Sequence, residues 1–240
     1  MKMKSNMQDY QKRKTYNKLN TVFIVAFLIV TQFTFAQVTK NLGDFSSVKV
    51  FDKLTVHLIP ANENKVVIKG NREKEVEVVN NNGELKLRMP FPKLLSGDDI
   101  SIQLYYKNID DISASEGSVI SSDAVFKETI LGISVKEGAK ITVKVDVQKV
   151  NVKAVTGGVI ELSGAAANQD VVIMSGGILK AKNLHTSQTT INLSAGGNAD
   201  INASTLVDAK VKAGGTVSIY GKPKQINQQT ILGGKIEEKE

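Results

Sequence analysis

The sequence predicts an all-β protein built as a parallel β-solenoid (β-helix) with about 20 residues in each coil, preceded by irregular strands and a hairpin. Apolar and polar residues alternate with period two, and no stretch sustains a helical period. Glycine-centred turns recur at nearly equal spacing after about residue 113. No aromatic residue occurs between Lys127 and Ile219, which suits a coil too narrow to hold rings.

An export signal is predicted at the amino terminus. The first twenty residues hold six basic side chains and one acidic side chain. The apolar run Val22–Val30 follows, and Thr34 and Ala36 precede a cleavage point at Gln37. The uncharged stretch ends at Ala36 and is shorter than the about 20 residues that a membrane helix needs. We expect residues 1–36 to be a cleaved signal peptide. The mature protein would then lie in the periplasm, on the outer-membrane surface or outside the cell, without a stable membrane span.

Removal of that segment changes the meaning of the net charge of +7. Residues 37–240 carry 25 basic and 23 acidic side chains, so the mature chain is almost neutral. Because the repeats also lack aromatic side chains for base stacking, we expect no nucleic-acid partner. The absence of cysteine excludes a disulfide scaffold, a thiolate zinc site and a cysteine nucleophile. Two histidines leave little room for a multi-histidine metal centre, and we expect no cofactor.

Residues 37–112 are predicted to form strands that cap or extend the solenoid within a single domain, 37–240. Strands are expected over 45–58, 65–70, 75–89 and 101–106. The third of these segments is a hairpin, because Asn81, Asn82 and Gly83 accept the positive φ of a tight turn. A loop covers residues 90–99, since Pro90 cannot donate to a ladder. The alternative is a β-sandwich followed by a short solenoid.

Residues 113–240 form the repeat. The second members of seven punctuating pairs are separated by 21, 20, 19, 20, 18 and 19 residues. At these corners glycine permits positive φ or close approach of the next coil. The structural turn glycines are therefore predicted to be Gly117, Gly138, Gly157, Gly158, Gly176, Gly177, Gly196, Gly197, Gly214, Gly215, Gly233 and Gly234. Stacking at about 4.8 Å places inward Val, Ile, Leu and Ala residues in continuous ladders.

The segment FSSVKVFDKLTVHLIPANENKVVIKGNREKEVEVVNNNGELKLRM and later glycine-centred repeats such as SAGGNADIN (194–202) carry a family resemblance. Over about residues 41–236 the chain resembles the bacterial auto-transporter adhesin family called the head GIN domain. The resemblance implies a right-handed parallel β-helix and an adhesive role, with no catalytic residues to carry over. The signal ending in FAQ resembles those of Bacteroidetes-type bacteria.

Two sets of residues are candidates for chemistry. Glu116 and Glu137 precede their glycines in successive repeats, so we expect them to stack, where they would share a proton, hold a cation or form a solvated corner. A second set offers oxygen ligands of the kind calcium prefers, or a polar outward face. Its members are Asn192, Asn198, Asp200 and Asn202.

The sequence favours an exported, non-enzymatic adhesion or surface-binding module that uses the face of the solenoid to bind a surface glycan or protein. The alternative is a polysaccharide-binding or polysaccharide-cleaving protein, for which Tyr105, Tyr106 and Tyr220 are the available stacking residues. A third hypothesis is a structural envelope part that assembles end to end. Convergence of outward carboxylates, lysines or aromatic rings in a groove separates the first two hypotheses.

Overall fold

The computed structural model describes residues 37–240, so the predicted signal peptide lies outside the described residues. The amino-terminal part contains β1 (Gln37–Asn41), β2 (Ser47–Val50), β3 (Thr55–Pro60), β4 (Lys65–Lys69), a 3₁₀ turn (Glu73–Glu75), β5 (Glu77–Asn81), β6 (Glu84–Arg88) and β7 (Ser101–Tyr106). The repeat region contains β8 (Asp111–Ala114), β9 (Val119–Phe126), β10 (Ile130–Val135), β11 (Lys140–Val155), β12 (Val159–Met174), β13 (Ile178–Ser194), β14 (Asn198–Lys212), β15 (Thr216–Tyr220), β16 (Gln225–Ile231) and β17 (Lys235–Glu238). No helix within residues 37–240 is both long enough and apolar enough to cross a membrane.

The repeat strands stack in parallel with about 19 residues between stacked strands, over about seven turns, which confirms the predicted solenoid. Each coil has two faces. We call the segments 111–114, 130–135, 149–155, 168–174, 188–194, 206–212 and 225–231 face A. We call the segments 119–126, 140–147, 159–166, 178–186, 198–203, 216–220 and 235–238 face B.

Aliphatic ladders fill the space between the two faces. On face B one continuous ladder of buried side chains is Ile141, Ile160, Leu179, Ala199 and Val217. Such ladders arise because period-two alternation sends every second side chain inward and parallel register places like positions above one another. The rings of Tyr106 and Phe126 stack at 5.7 Å between centroids, near the amino-terminal part of the solenoid.

Each coil turns from face A to face B through a tight turn with two left-handed residues. In one such turn Ser175 has φ 50° and Gly176 has φ 77°, and the Gly177 N–H donates to the Met174 carbonyl at 3.1 Å. These are the features of a type I′ turn. Glu116 and Glu137 occupy the first left-handed position of their own turns. Gly117 and Gly138 therefore occupy the same turn position as the first glycine of each later Gly-Gly pair. The spacing in the sequence instead matched them to the second glycine of each pair.

The amino-terminal strands both extend and cap the solenoid. Strands β2 and β3 form a coil that pairs in parallel with β8 and β9 on one side and with β6 and β7 on the other. The alternative of a separate β-sandwich is therefore wrong. Strand β5 pairs antiparallel with β6 as the predicted hairpin, and β4 pairs antiparallel with both β7 and β1. These antiparallel strands cover the edge of each face at this end.

Candidate binding sites

A polar groove crosses four coils on face B. We call it the face B groove; it has a volume of about 430 Å³. Most of its lining side chains carry hydroxyl, amide or charged groups. They include Ser121, Asp123, Thr142, Lys144, Glu161, Ser163, Lys180 and Asn183. Outward carboxylates and lysines therefore converge in a groove, and the groove provides donors and acceptors for a polar ligand.

Two irregular strands flank the groove. Strand β9 places three residues, 122–124, opposite Val143 alone, and β13 places Ala181 and Lys182 opposite Leu162. The two central strands, β11 and β12, stay in regular register. Bulges bend a strand and re-aim its side chains. The Ser122 hydroxyl anchors the first bulge by donating to the Leu58 carbonyl at 2.9 Å.

Glu161 is the electrostatic centre of the groove. Its carboxylate lies 2.9 Å from the Lys180 ammonium and 3.0 Å from the Lys140 ammonium. The Thr142 hydroxyl donates to it at 3.2 Å. The Lys180 and Lys140 ammonium groups lower the pKa of the Glu161 carboxyl below its ordinary value. Glu161 is therefore a fixed anion that holds both lysines in place.

The amino-terminal rim of the groove contains a histidine. His57 Nδ1 lies 3.2 Å from the Ser121 hydroxyl, and His57 Nε2 lies 3.4 Å from an Asp123 carboxylate oxygen. Asp123 stands almost fully exposed at this rim. The imidazole thus links a hydroxyl of the groove to a carboxylate that faces solvent.

A second concavity lies at the edge where the coils turn. We call it the turn-edge hollow; it has a volume of about 530 Å³. Its lining residues are Lys53, Leu94, Leu95, Glu116, Gly117 and Glu137. Glu116 and Glu137 do lie in successive coils, since the Gly117 N–H donates to the Glu137 carbonyl at 3.0 Å. Burial, then the Asp52 and Glu137 carboxyl groups, raise the pKa of Glu116 above its ordinary value.

The four candidate calcium ligands are divided between the two faces of the solenoid. Asn192 projects from face A, whereas Asn198, Asp200 and Asn202 belong to face B. The Asn202 side-chain amide donates to the Lys182 carbonyl at 2.9 Å. Within residues 37–240 no three His, Cys, Asp or Glu side chains are grouped so that they could hold a metal ion.

The tyrosines named for sugar stacking lie outside the face B groove. A lysine ammonium covers one ring face in two of them, with Lys65 lying 4.8 Å from the centre of the Tyr105 ring and Lys182 lying 4.4 Å from the centre of the Tyr220 ring. Tyr106 is buried, and burial raises its pKa to about 12. Sugar stacking on these tyrosines is therefore not a feature of the groove.

The model of the family described as putative auto-transporter adhesin, head GIN domain, matches residues 44–223. The chain belongs to this family. The description of this family as putative adhesins supports a surface-binding role and a cell-surface or exported protein. No curated protein matches the sequence.

Solved structures share the fold of this head GIN domain protein. A putative adhesin from Bacteroides fragilis has a TM-score of 0.77 at 17% identity, and one from Parabacteroides distasonis has 0.69 at 17%. A putative lipid binding protein from Parabacteroides distasonis has 0.60 at 15%. Each alignment covers 85% of this chain and 96% of the other.

Proposed function

We propose that this protein is an exported adhesion module of the cell envelope that binds a surface glycan in the face B groove. The observation that carries the proposal is the convergence of hydroxyl, amide and paired charged groups from four coils in one groove. A glycan presents many hydroxyl groups, each of which donates and accepts, and so matches a lining of this kind. The family description of an adhesin supports binding as the activity.

Binding without cleavage agrees with the electrostatics of the groove. Glycoside hydrolysis ordinarily needs one carboxyl group that keeps its proton and one that is ionised. The two lysines that flank Glu161 lower its pKa, so this residue is suited to hold cations and not to donate a proton. Glu161 therefore does not supply the protonated carboxyl group that glycoside hydrolysis requires.

A glycan-binding panel tests the proposal. Purified protein is applied to immobilised neutral and acidic glycans, and the soluble fraction is analysed for cleavage products. Thr142→Val and Lys180→Met remove groove donors and should weaken binding at least about fivefold, as expected for loss of a hydrogen bond worth about 1 kcal/mol. Asp170→Asn is the matched control, because Asp170 is an outward, lysine-paired acid on face A.

Selective binding that Thr142→Val and Lys180→Met weaken and Asp170→Asn leaves unchanged supports the proposal. Equal binding by all three variants would place the ligand elsewhere. Release of shortened glycans would contradict the proposed adhesion function and show that the protein cleaves polysaccharides. Export is tested separately, by mass spectrometry of the envelope fraction, where we expect a mature chain that begins at Gln37.

A further inference from the structure

We propose that the turn-edge hollow is a second docking site, which binds a protein segment carrying a lysine or arginine next to an apolar residue. This site differs from the face B groove in position and in chemistry. Most side chains that line the groove are polar, whereas the hollow combines two leucine side chains with two carboxylates and Lys53.

The apolar part of the site is a loop that presents large side chains to solvent. Phe91 is 85% exposed, and Leu94 and Leu95 are each 51% exposed. A partner that covers these side chains would remove apolar surface from water, which favours association. A cluster of this kind next to a cavity is typical of a protein interaction site.

The loop is held in place from beneath. Asp52 is 1% exposed, and its carboxylate accepts hydrogen bonds from the Met89 and Leu95 N–H groups at 2.9 Å each. The Gly97 N–H donates to the Asp52 carbonyl at 2.9 Å. The Arg72 guanidinium bonds to the Ser96 carbonyl on the far side of the loop. The leucines therefore stay exposed in a loop that is fixed to the solenoid, and the hollow exists before a partner binds.

The carboxylates set the charge of the partner. Glu116 and Glu137 come from the turns of two successive coils and line the hollow together with Leu94, Leu95 and Lys53. The Lys136 ammonium is 4.0 Å from the Glu137 carboxylate, at the limit of an ion pair. Burial, followed by the neighbouring Asp52 and Glu137 carboxyl groups, raises the pKa of Glu116, and a cation placed beside this carboxylate would stabilise its ionised form.

A lysine or arginine side chain suits this combination, because its aliphatic stem packs on apolar surface while its charged end reaches a carboxylate. A volume of about 530 Å³ lies within the range of ordinary ligand sites. A membrane surface is the other occupant that exposed leucines suggest, but its anionic headgroups would be repelled by the two carboxylates.

Labelled heptapeptides test the site. Three peptides carry Leu-Lys-Leu, Leu-Gln-Leu or Leu-Glu-Leu at the centre of a Gly/Ser frame, and binding to the purified protein is followed by fluorescence anisotropy. We expect the lysine peptide to bind at least about fivefold more tightly than the glutamine peptide, and the glutamate peptide to bind most weakly. Added salt should reduce the difference between the peptides.

Variants assign the binding to the hollow. The double change Leu94→Ser and Leu95→Ser should weaken all three peptides, whereas Glu137→Gln should remove most of the preference for lysine. Leu232→Ser and Glu63→Gln are matched controls, because Leu232 is 81% exposed at a distant turn and Glu63 is an exposed, lysine-paired acid. Lys180→Met, in the groove, should leave peptide binding unchanged, so the two proposals fail independently.

The proposal is overturned if the lysine and glutamine peptides bind equally, if no peptide binds, or if the hollow variants bind like the wild-type protein. Sedimentation with phosphatidylglycerol vesicles that depends on Leu94 and Leu95, without peptide binding, would assign the loop to a membrane. Circular dichroism of each variant confirms the fold, and Glu137→Gln keeps the shape of the side chain.

Discussion

The first left-handed position of each turn changes character from one end of the solenoid to the other. It is acidic in three adjoining coils, carries a hydroxyl in the next two and is apolar in the last three. In stacking order the residues are Asp52, Glu116, Glu137, Thr156, Ser175, Ala195, Ala213 and Leu232. Like charges on neighbouring coils repel, so the acidic part of this series carries an electrostatic cost. Asp52 reduces its own cost by accepting two backbone N–H groups.

Glu116→Gln should therefore stabilise the protein at neutral pH. The pKa of Glu116 is raised in the folded state, so its contribution favours folding below the ordinary carboxyl pKa and is lost as pH rises through the folded pKa. The gain from Glu116→Gln should be present at pH 7 and vanish near pH 3. Urea unfolding at several pH values measures it.

Glu161→Gln is the control with opposite sign. Lys180 and Lys140 lower the pKa of Glu161, so this carboxylate stabilises the fold above its ordinary pKa and loses that effect as pH falls through the folded pKa. The variant should be less stable than wild type at pH 7 and equal to it at low pH. If both variants showed the same pH dependence of stability, the opposite pKa directions of Glu116 and Glu161 would be contradicted.

At the scale of the element, the two glycines of each Gly-Gly turn have different roles. Gly176 has φ 77°, and a Cβ on it would meet no atom within 4 Å, so this position needs glycine for backbone conformation alone. A Cβ on Gly177 would lie 2.6 Å from the Ala154 carbonyl carbon of the preceding coil. This second position needs glycine because the neighbouring backbone fills the space.

Gly177→Ala should consequently cost more stability than Gly176→Ala. We expect about 2–3 kcal/mol for the first change, because the coils must separate to admit a methyl group. We expect about 1 kcal/mol for the second, the cost of a left-handed alanine. Chemical unfolding of both variants measures the difference, and equal costs would contradict the close approach of the Ala154 backbone to Gly177.

The bulges that flank the face B groove explain why the repeat lengths vary. The 21-residue interval from Gly117 to Gly138 contains the extra residues of the β9 bulge. The 20-residue interval from Gly176 to Gly196 contains the extra residue of the β13 bulge. Repeat intervals longer than 19 residues were therefore the signal in the sequence for the bulges that flank the groove. The interval alone does not show whether the extra residue lies on face A or on face B.

At the scale of the whole molecule, the two ends of the solenoid are closed differently. Antiparallel strands cover the amino-terminal end. In the coil of β16 and β17 three inward positions become polar, with Gln228 stacked on Ala209, Thr230 on Val211 and Glu238 on Ile219, whereas Ile226 and Ile236 remain apolar and pack against the core. Polar inward groups make stacking of another coil unfavourable, which is a known protection for an exposed sheet edge.

The double change Gln228→Val and Thr230→Val should therefore promote association through this end. Light scattering over a concentration series should show a monomer for the wild-type protein and larger species for the variant. Asn227→Val is the control, because Asn227 stacks on Asp208 at an outward position. If the wild-type protein assembles at micromolar concentration, the result would instead favour the third hypothesis, a structural envelope protein that assembles end to end.

The repeat, the alternation and the glycine turns were predictable from the sequence, because each depends on residues close together in the chain. The stacking of Glu116 on Glu137 was predictable for the same reason. Asp52 was not placed beside them, since its coil is inserted between β6–β7 and β8–β9, out of chain order. The four candidate calcium ligands were not predictable as residues of two different faces, since Asn192 projects from face A and the other three belong to face B.

The sequence by itself determined a β-solenoid and its coil length, because local periodicity decides which side chains are buried. The resemblance to an adhesin-like family rests separately on the opening segment and on repeats such as SAGGNADIN. Only the tertiary structure decided where the two concavities lie on the solenoid. The face B groove depends on register shifts between strands about 20 residues apart in sequence, and the turn-edge hollow on a buried aspartate that fixes a distant loop. Both arise from contacts between coils, which no local pattern contains.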